Sequence, residues 1–170
     1  MNQLLALTAL LGLLASFAVH VAALCGVDVQ ARWPFVWVLH LGLFLVFFPF
    51  VISCRKRLGP RPSLAELRAI FPHWIVVLAM VILAYAVLNF VLFIMATQGG
   101  NPDIRDGKHV LLNHGKLVRE LTASEYSALR ANEVRGFSGH WLVFYFIPFA
   151  YFMFRKNAAG TGNGDSLGAS

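Results

Sequence analysis

Four stretches of the chain contain no Asp, Glu, Lys or Arg: residues 1–27, 33–54, 69–102 and 136–154. Runs of that length cannot face water uncharged, whereas a bilayer core about 30 Å thick needs roughly 20 apolar residues in a helix to cross it. The runs and the breakers between them predict four spans, at about 4–25, 33–53, 71–97 and 138–154. Strands fit poorly, because apolar and polar residues do not alternate and an open sheet in lipid leaves backbone groups unsatisfied. Composition agrees: 13% of the residues are charged, about half the share in a soluble domain. The expected fold class is therefore an all-α membrane protein with four transmembrane helices. Pro34 and Pro72 suit first turns and Ser138 suits a cap of the fourth span, while Pro49 and Pro148 predict kinks.

Basic residues in short loops stay on the cytoplasmic side during insertion. Arg55, Lys56, Arg57, Arg61 and Arg68 stand between spans two and three against Glu66 alone, and Arg155 and Lys156 follow span four. The turn after span one holds only Asp28 and Arg32, and the long connection between spans three and four has nearly balanced charge. The pattern predicts both termini in the cytoplasm and a multi-pass membrane protein. The net charge of +6 reads as topology and contact with anionic lipid, with no nucleic-acid partner. No basic residue precedes the first run, so it is expected to stay as a span and not to be cleaved as a signal peptide.

The membrane domain is expected over 1–156, with an extracytoplasmic cap at 98–137 and a disordered cytoplasmic tail at 157–170 made of Gly, Ala, Ser, Thr and Asn with few apolar residues. In the cap, Lys108–Asn113 and Lys116–Leu121 flank His114-Gly115, which predicts a β-hairpin pairing Leu112 with Leu117, Leu111 with Val118 and His109 with Glu120. Thr122 and Glu125 form a capping box that opens a helix through Tyr126, Leu129 and Val134 toward Phe137; Ser63 and Glu66 form another before a short helix whose Leu64, Leu67, Ile70 and Phe71 suit the inner membrane surface.

Chemistry in such a chain would come from polar residues inside the spans. At 1.5 Å per residue, His20 lies about 9 Å, His40 about 10 Å and Asn89 about 12 Å below the outer ends of their spans, with Tyr85 one turn from Asn89. His140 and Ser138 stand at the outer mouth of span four. Groups at such depth face the bundle interior, so His20, His40, Asn89 and His140 form the candidate cofactor-binding cluster, with His20 and His40 expected within hydrogen-bond or one-water reach. A haem b held by two histidines is the specific cofactor alternative. Spans one and two should pack with axes about 8–10 Å apart, which is tight for an iron between two ligands, and no cofactor is favoured. His109, His114 and His140 would bind a metal only if the cap gathered them. No metalloprotease helix motif, paired-cysteine motif, nucleophile elbow or phosphate loop is present, so no catalytic residue is assigned.

The phrases Trp37-Val38-Leu39-His40-Leu41-Gly42 and Arg135-Gly136-Phe137-Ser138-Gly139-His140-Trp141 resemble stretches of small bacterial membrane proteins of unassigned function. That resemblance implies a bacterial inner membrane and carries no residue roles. The functional expectation is an interaction or assembly component, more a non-enzyme than an enzyme; the alternative is a redox or cofactor-binding membrane protein using the outer-half histidines. Apart from the lipid bilayer, the expected contact is self-association, or a membrane-protein partner, through the small residues Ala9, Gly12 and Ser16 on one side of span one; packing within one monomer is the equal alternative for these residues and for the aromatic side chains of span four. The aromatic side chains of span four offer a second surface for lipid or a partner.

Overall fold

The computed structural model describes residues 2–155, the Leu64 side chain excepted; the predicted tail at 157–170 lies outside the described residues. The helices are α1 (Asn2–Leu24), α2 (Val29–Arg32), α3 (Val38–Leu58, entered through a 3-10 turn at Pro34–Trp37), α4 (Leu64–Ala69), α5 (His73–Ala96) and α6 (Ala123–Phe154). Four helical segments among the described residues are long and apolar enough to cross a membrane: α1, Pro34–Leu58, α5 and α6. The first three match the predicted spans to within a few residues, apart from the inner end of the second, which runs on through the basic residues to Leu58.

The fourth differs. Ser138 does not cap it, because the helix that opens at Thr122 continues without a break to Phe154. The Ser138 hydroxyl donates to the Arg135 carbonyl at 3.2 Å, which keeps this residue inside the helix. Gly136 and Gly139, poor helix formers in isolation, are the places where α5 comes closest: a Cβ on Gly136 would stand 2.6 Å from the Phe93 ring, and one on Gly139 would collide with Asn89. At 1.5 Å per residue a 32-residue helix is about 48 Å long, well over the roughly 30 Å thickness of a bilayer core. Pro49 and Pro148, expected as kink sites, both lie inside continuous helices.

α6 is the hub of the helical part. α1, α3 and α5 all pack against it, and α1 also meets α3, whereas the substantial packing of α5 is with α6 alone. Span one presents its small residues to the hub: Ala9 and Ser16 are fully buried, and a Cβ on Gly12 would run into the Tyr145 ring. This corrects the expectation of self-association through Ala9, Gly12 and Ser16, since that stripe is occupied within the chain. The aromatic surface of span four is likewise internal. Tyr145, Phe146, Tyr151 and Phe152 are buried, Phe149 and Phe154 are half-buried, and Phe144 is exposed. Tyr145 wedges between α1 and α3, its ring against Gly12, and its hydroxyl beside Gly42 donates to the Leu39 carbonyl at 2.7 Å.

At one end of the bundle α4 docks by its apolar residues. Ser63 and Glu66 form the expected capping box. Ile70 is buried with Ala6, Cys54, Tyr151 and Phe152, and Leu67 and Phe71 pack beside it, so these residues cover the bundle end.

At the other end stands a three-stranded antiparallel sheet in the order β1 (Asn101–Arg105), β2 (Lys108–Asn113), β3 (Lys116–Glu120). The hairpin at His114-Gly115 forms as expected, both residues at positive φ, with Leu112 opposite Leu117. Beyond it a bulge at Leu111/Leu112 shifts the register, so Leu111 faces Arg119 and Val110 faces Glu120, in place of the expected Val118 and His109 pairings. The shift leaves Val118 exposed while Leu121 joins Leu111 and Leu129 in the small core between sheet and α6. Glu120 is paired instead by Lys108, at 2.6 Å. β1 is the strand the sequence reading lacked.

Candidate functional site

The polar residues of the helices meet near the sheet end, on α6, and they separate into two groups. The first is built on His20, which is 2% exposed. Its Nδ1 lies 2.8 Å from the Ser138 hydroxyl and its Nε2 bonds the Tyr85 hydroxyl. Because Ser138 donates its one proton to the Arg135 carbonyl, a single arrangement satisfies every member. Tyr85 donates to Nε2, the Nδ1–H donates to Ser138, and Ser138 donates onward. His20 is then neutral with both ring nitrogens engaged, and the chain of bonds ties α5 to α1 to α6. Asn89, buried one turn along from Tyr85, donates to the same Arg135 carbonyl at 3.1 Å.

The second group holds His40 and His140. Trp141 Nε1–H can only donate, so His40 Nδ1, 3.0 Å away, accepts and His40 carries its proton on Nε2. The Gly136 carbonyl can only accept, so His140 Nδ1, at 2.9 Å, carries a proton. Among the described residues the Nε2 atoms of both rings have no hydrogen-bond partner, and neither is enclosed.

His20, Asn89, His40 and His140 are thus all placed around α6, but His20 and His40 are not partners. The short turn does make α1 and α3 neighbours, as expected; α6 inserts against both and supplies each histidine with its own hydrogen-bond partner, Ser138 for one and Trp141 for the other. For a haem the consequence is direct: an iron ligand at His20 would need one of its two protein hydrogen bonds to break. The outer-side histidines are dispersed. His109 stacks on Tyr126 with centroids 4.3 Å apart, His114 occupies the hairpin turn, and His140 packs edge-on to Phe90.

α5 touches the bundle along one side, and an open-sided crevice lies on each of its flanks. One, of about 620 Å³, is lined by Leu13, Phe17, His20, Val81, Tyr85 and Phe146 among others. The other, of about 320 Å³, is lined by His40, Phe90, Phe93, Phe137, His140 and Trp141 with Leu43, Gly136 and Phe144. Both fall in the size range of small-molecule sites. Trp141 and Arg135 are the members that sequence reasoning missed. Trp141 is fully buried, and the Nε and Nη2 of Arg135 are buried without a hydrogen-bond partner among the described residues.

No family model, curated protein or solved structure matches the chain.

Proposed function

We propose that this chain is a multi-pass protein of a bacterial inner membrane, both termini cytoplasmic and the sheet outside, that holds another membrane component instead of catalysing a reaction. The observation that carries the reading is that α5 packs mainly on α6, with a crevice on each flank. The deepest polar groups, His20, Ser138, Tyr85 and Asn89, already have protein partners, which suits a structural role for them. Basic loop charge supports the orientation. A photoreactive side chain at Val81 or Phe90, inside the crevices, should give one discrete adduct in cells, and one at Leu45, on the exposed face of α3, should give only heterogeneous lipid adducts. Indistinguishable adducts at all three positions would refute the binding role. For orientation, Ser124→Cys should react with an impermeant thiol reagent in intact cells and Ser63→Cys should not; the reverse pattern would invert the topology.

A further inference from the structure

The crevice beside His40 and His140 has a chemistry that selects among ligands. Its walls are aromatic: Phe90, Phe93, Phe137, Phe144 and Trp141. Its only titratable side chains are the two histidines, and their hydrogen bonds to Trp141 and Gly136 fix complementary tautomers. His40 therefore offers an N–H donor at Nε2, and neutral His140 offers a lone pair at Nε2. A ligand that enters from lipid and satisfies both must be apolar, flat enough for aromatic walls, and equipped with a group that accepts from one nitrogen and donates to the other.

We infer that this crevice binds the ring of a lipid-soluble hydroquinone, its hydroxyl groups accepting from His40 Nε2–H and donating to His140 Nε2. The inference rests on the binding role proposed above and names the ligand for one crevice. A quinone, with acceptors only, satisfies His40 and leaves the His140 lone pair facing a carbonyl oxygen, which is repulsive. Fatty acyl chains satisfy neither nitrogen. The volume of about 320 Å³ suits a single ring with its tail left in the bilayer.

The test uses the full chain in lipid nanodiscs with decyl-substituted benzohydroquinone and the matching benzoquinone as probes, under anaerobic conditions at mildly alkaline pH. The hydroquinone should bind at least tenfold more tightly than the quinone. His140→Leu should remove that preference while leaving the thermal midpoint close to wild type, because the His140 bond runs only to a carbonyl of its own helix and joins no other element. Tyr126→Phe, a change in the sheet-side aromatic stack, should leave hydroquinone binding unchanged. Equal affinity for the two probes, or a preference that survives in His140→Leu, overturns the inference. In that case a discrete photoadduct at Phe90 shows that the crevice still holds a partner of another class, and the absence of a discrete adduct at both Phe90 and Val81 refutes the binding role as well.

Discussion

The two flanks of α5 place histidines at similar depth along the helices and put them to opposite use. On the α1 flank, His20 is enclosed and both its nitrogens are bonded to neighbouring helices. On the α3 flank, His40 and His140 each use one nitrogen within the fold and leave the other open beside a crevice. Depth and residue type are the same on both sides, so neither distinguishes a structural histidine from a binding one. The number of ring nitrogens that the fold leaves unpaired does.

The largest effect should come from breaking the α1–α6 contact sterically. Gly12→Leu places a side chain where the Tyr145 ring stands, and overpacking of this kind costs about 3 kcal/mol. Denaturant titration of the detergent-solubilised chain should show the loss, whereas Leu88→Val on the exposed face of α5 should change little. Next is His20→Leu, which leaves the Tyr85 and Ser138 hydroxyls without their shared partner. Interhelical hydrogen bonds in membranes are individually modest, so the expected cost is about 2 kcal/mol for the pair. The contrast with His140→Leu, near zero by the same titration, is what separates the two flanks. Equal losses for both variants would erase the distinction. Asn89→Ala removes one bond to the Arg135 carbonyl and should cost about 1 kcal/mol.

Much of this fold is legible in the sequence because it follows from local or compositional physics. The charge-free runs give the helices, and Ser63/Glu66 and Thr122/Glu125 give both capping boxes. His114-Gly115 gives one hairpin turn. The strand β1 was also within reach, since Asp106-Gly107, both at positive φ, is a strong hairpin-turn signal; the Pro and the charges of Asn101–Arg105 hid the strand that leads into it. The candidate site was legible only as a set of residues. His20, His40, Asn89 and His140 do gather on α6, but which of them pair is decided by the rotation of each helix about its axis, and apolar spans carry almost no periodic signal for that. In α1 the small residues Ala6, Ala9 and Ser16, with Gly12, mark the packed side. α5 is almost wholly apolar, and its contact side is marked by Tyr85 and Asn89 and by glycines on the partner, Gly136 and Gly139.

The smallest effect lies far from either flank. The backbone N–H of Ser63, and after it the Ser63 hydroxyl, hold the Glu66 carboxyl below the usual glutamate range. The capping box of α4 therefore contributes fully above the unfolded-state glutamate pKa and is lost as pH falls through the lowered folded value. Protection of the α4 amides in hydrogen exchange should decline across that acidic window, while protection around Trp141 stays constant. Loss of both together would mean that α4 and the hub unfold as one unit.

The division between an engaged and an open histidine set is tested most directly by nitrogen-15 spectra of the histidine-labelled full chain in lipid bilayers at mildly alkaline pH. His20 should appear as a neutral, non-exchanging Nδ1–H ring with both nitrogens hydrogen-bonded, His40 as an Nε2–H tautomer and His140 as an Nδ1–H tautomer. Added hydroquinone should shift the Nε2 signals of His40 and His140 and leave those of His20 in place. A His20 ring that exchanges between tautomers, or a His40 ring protonated at Nδ1, would contradict the division.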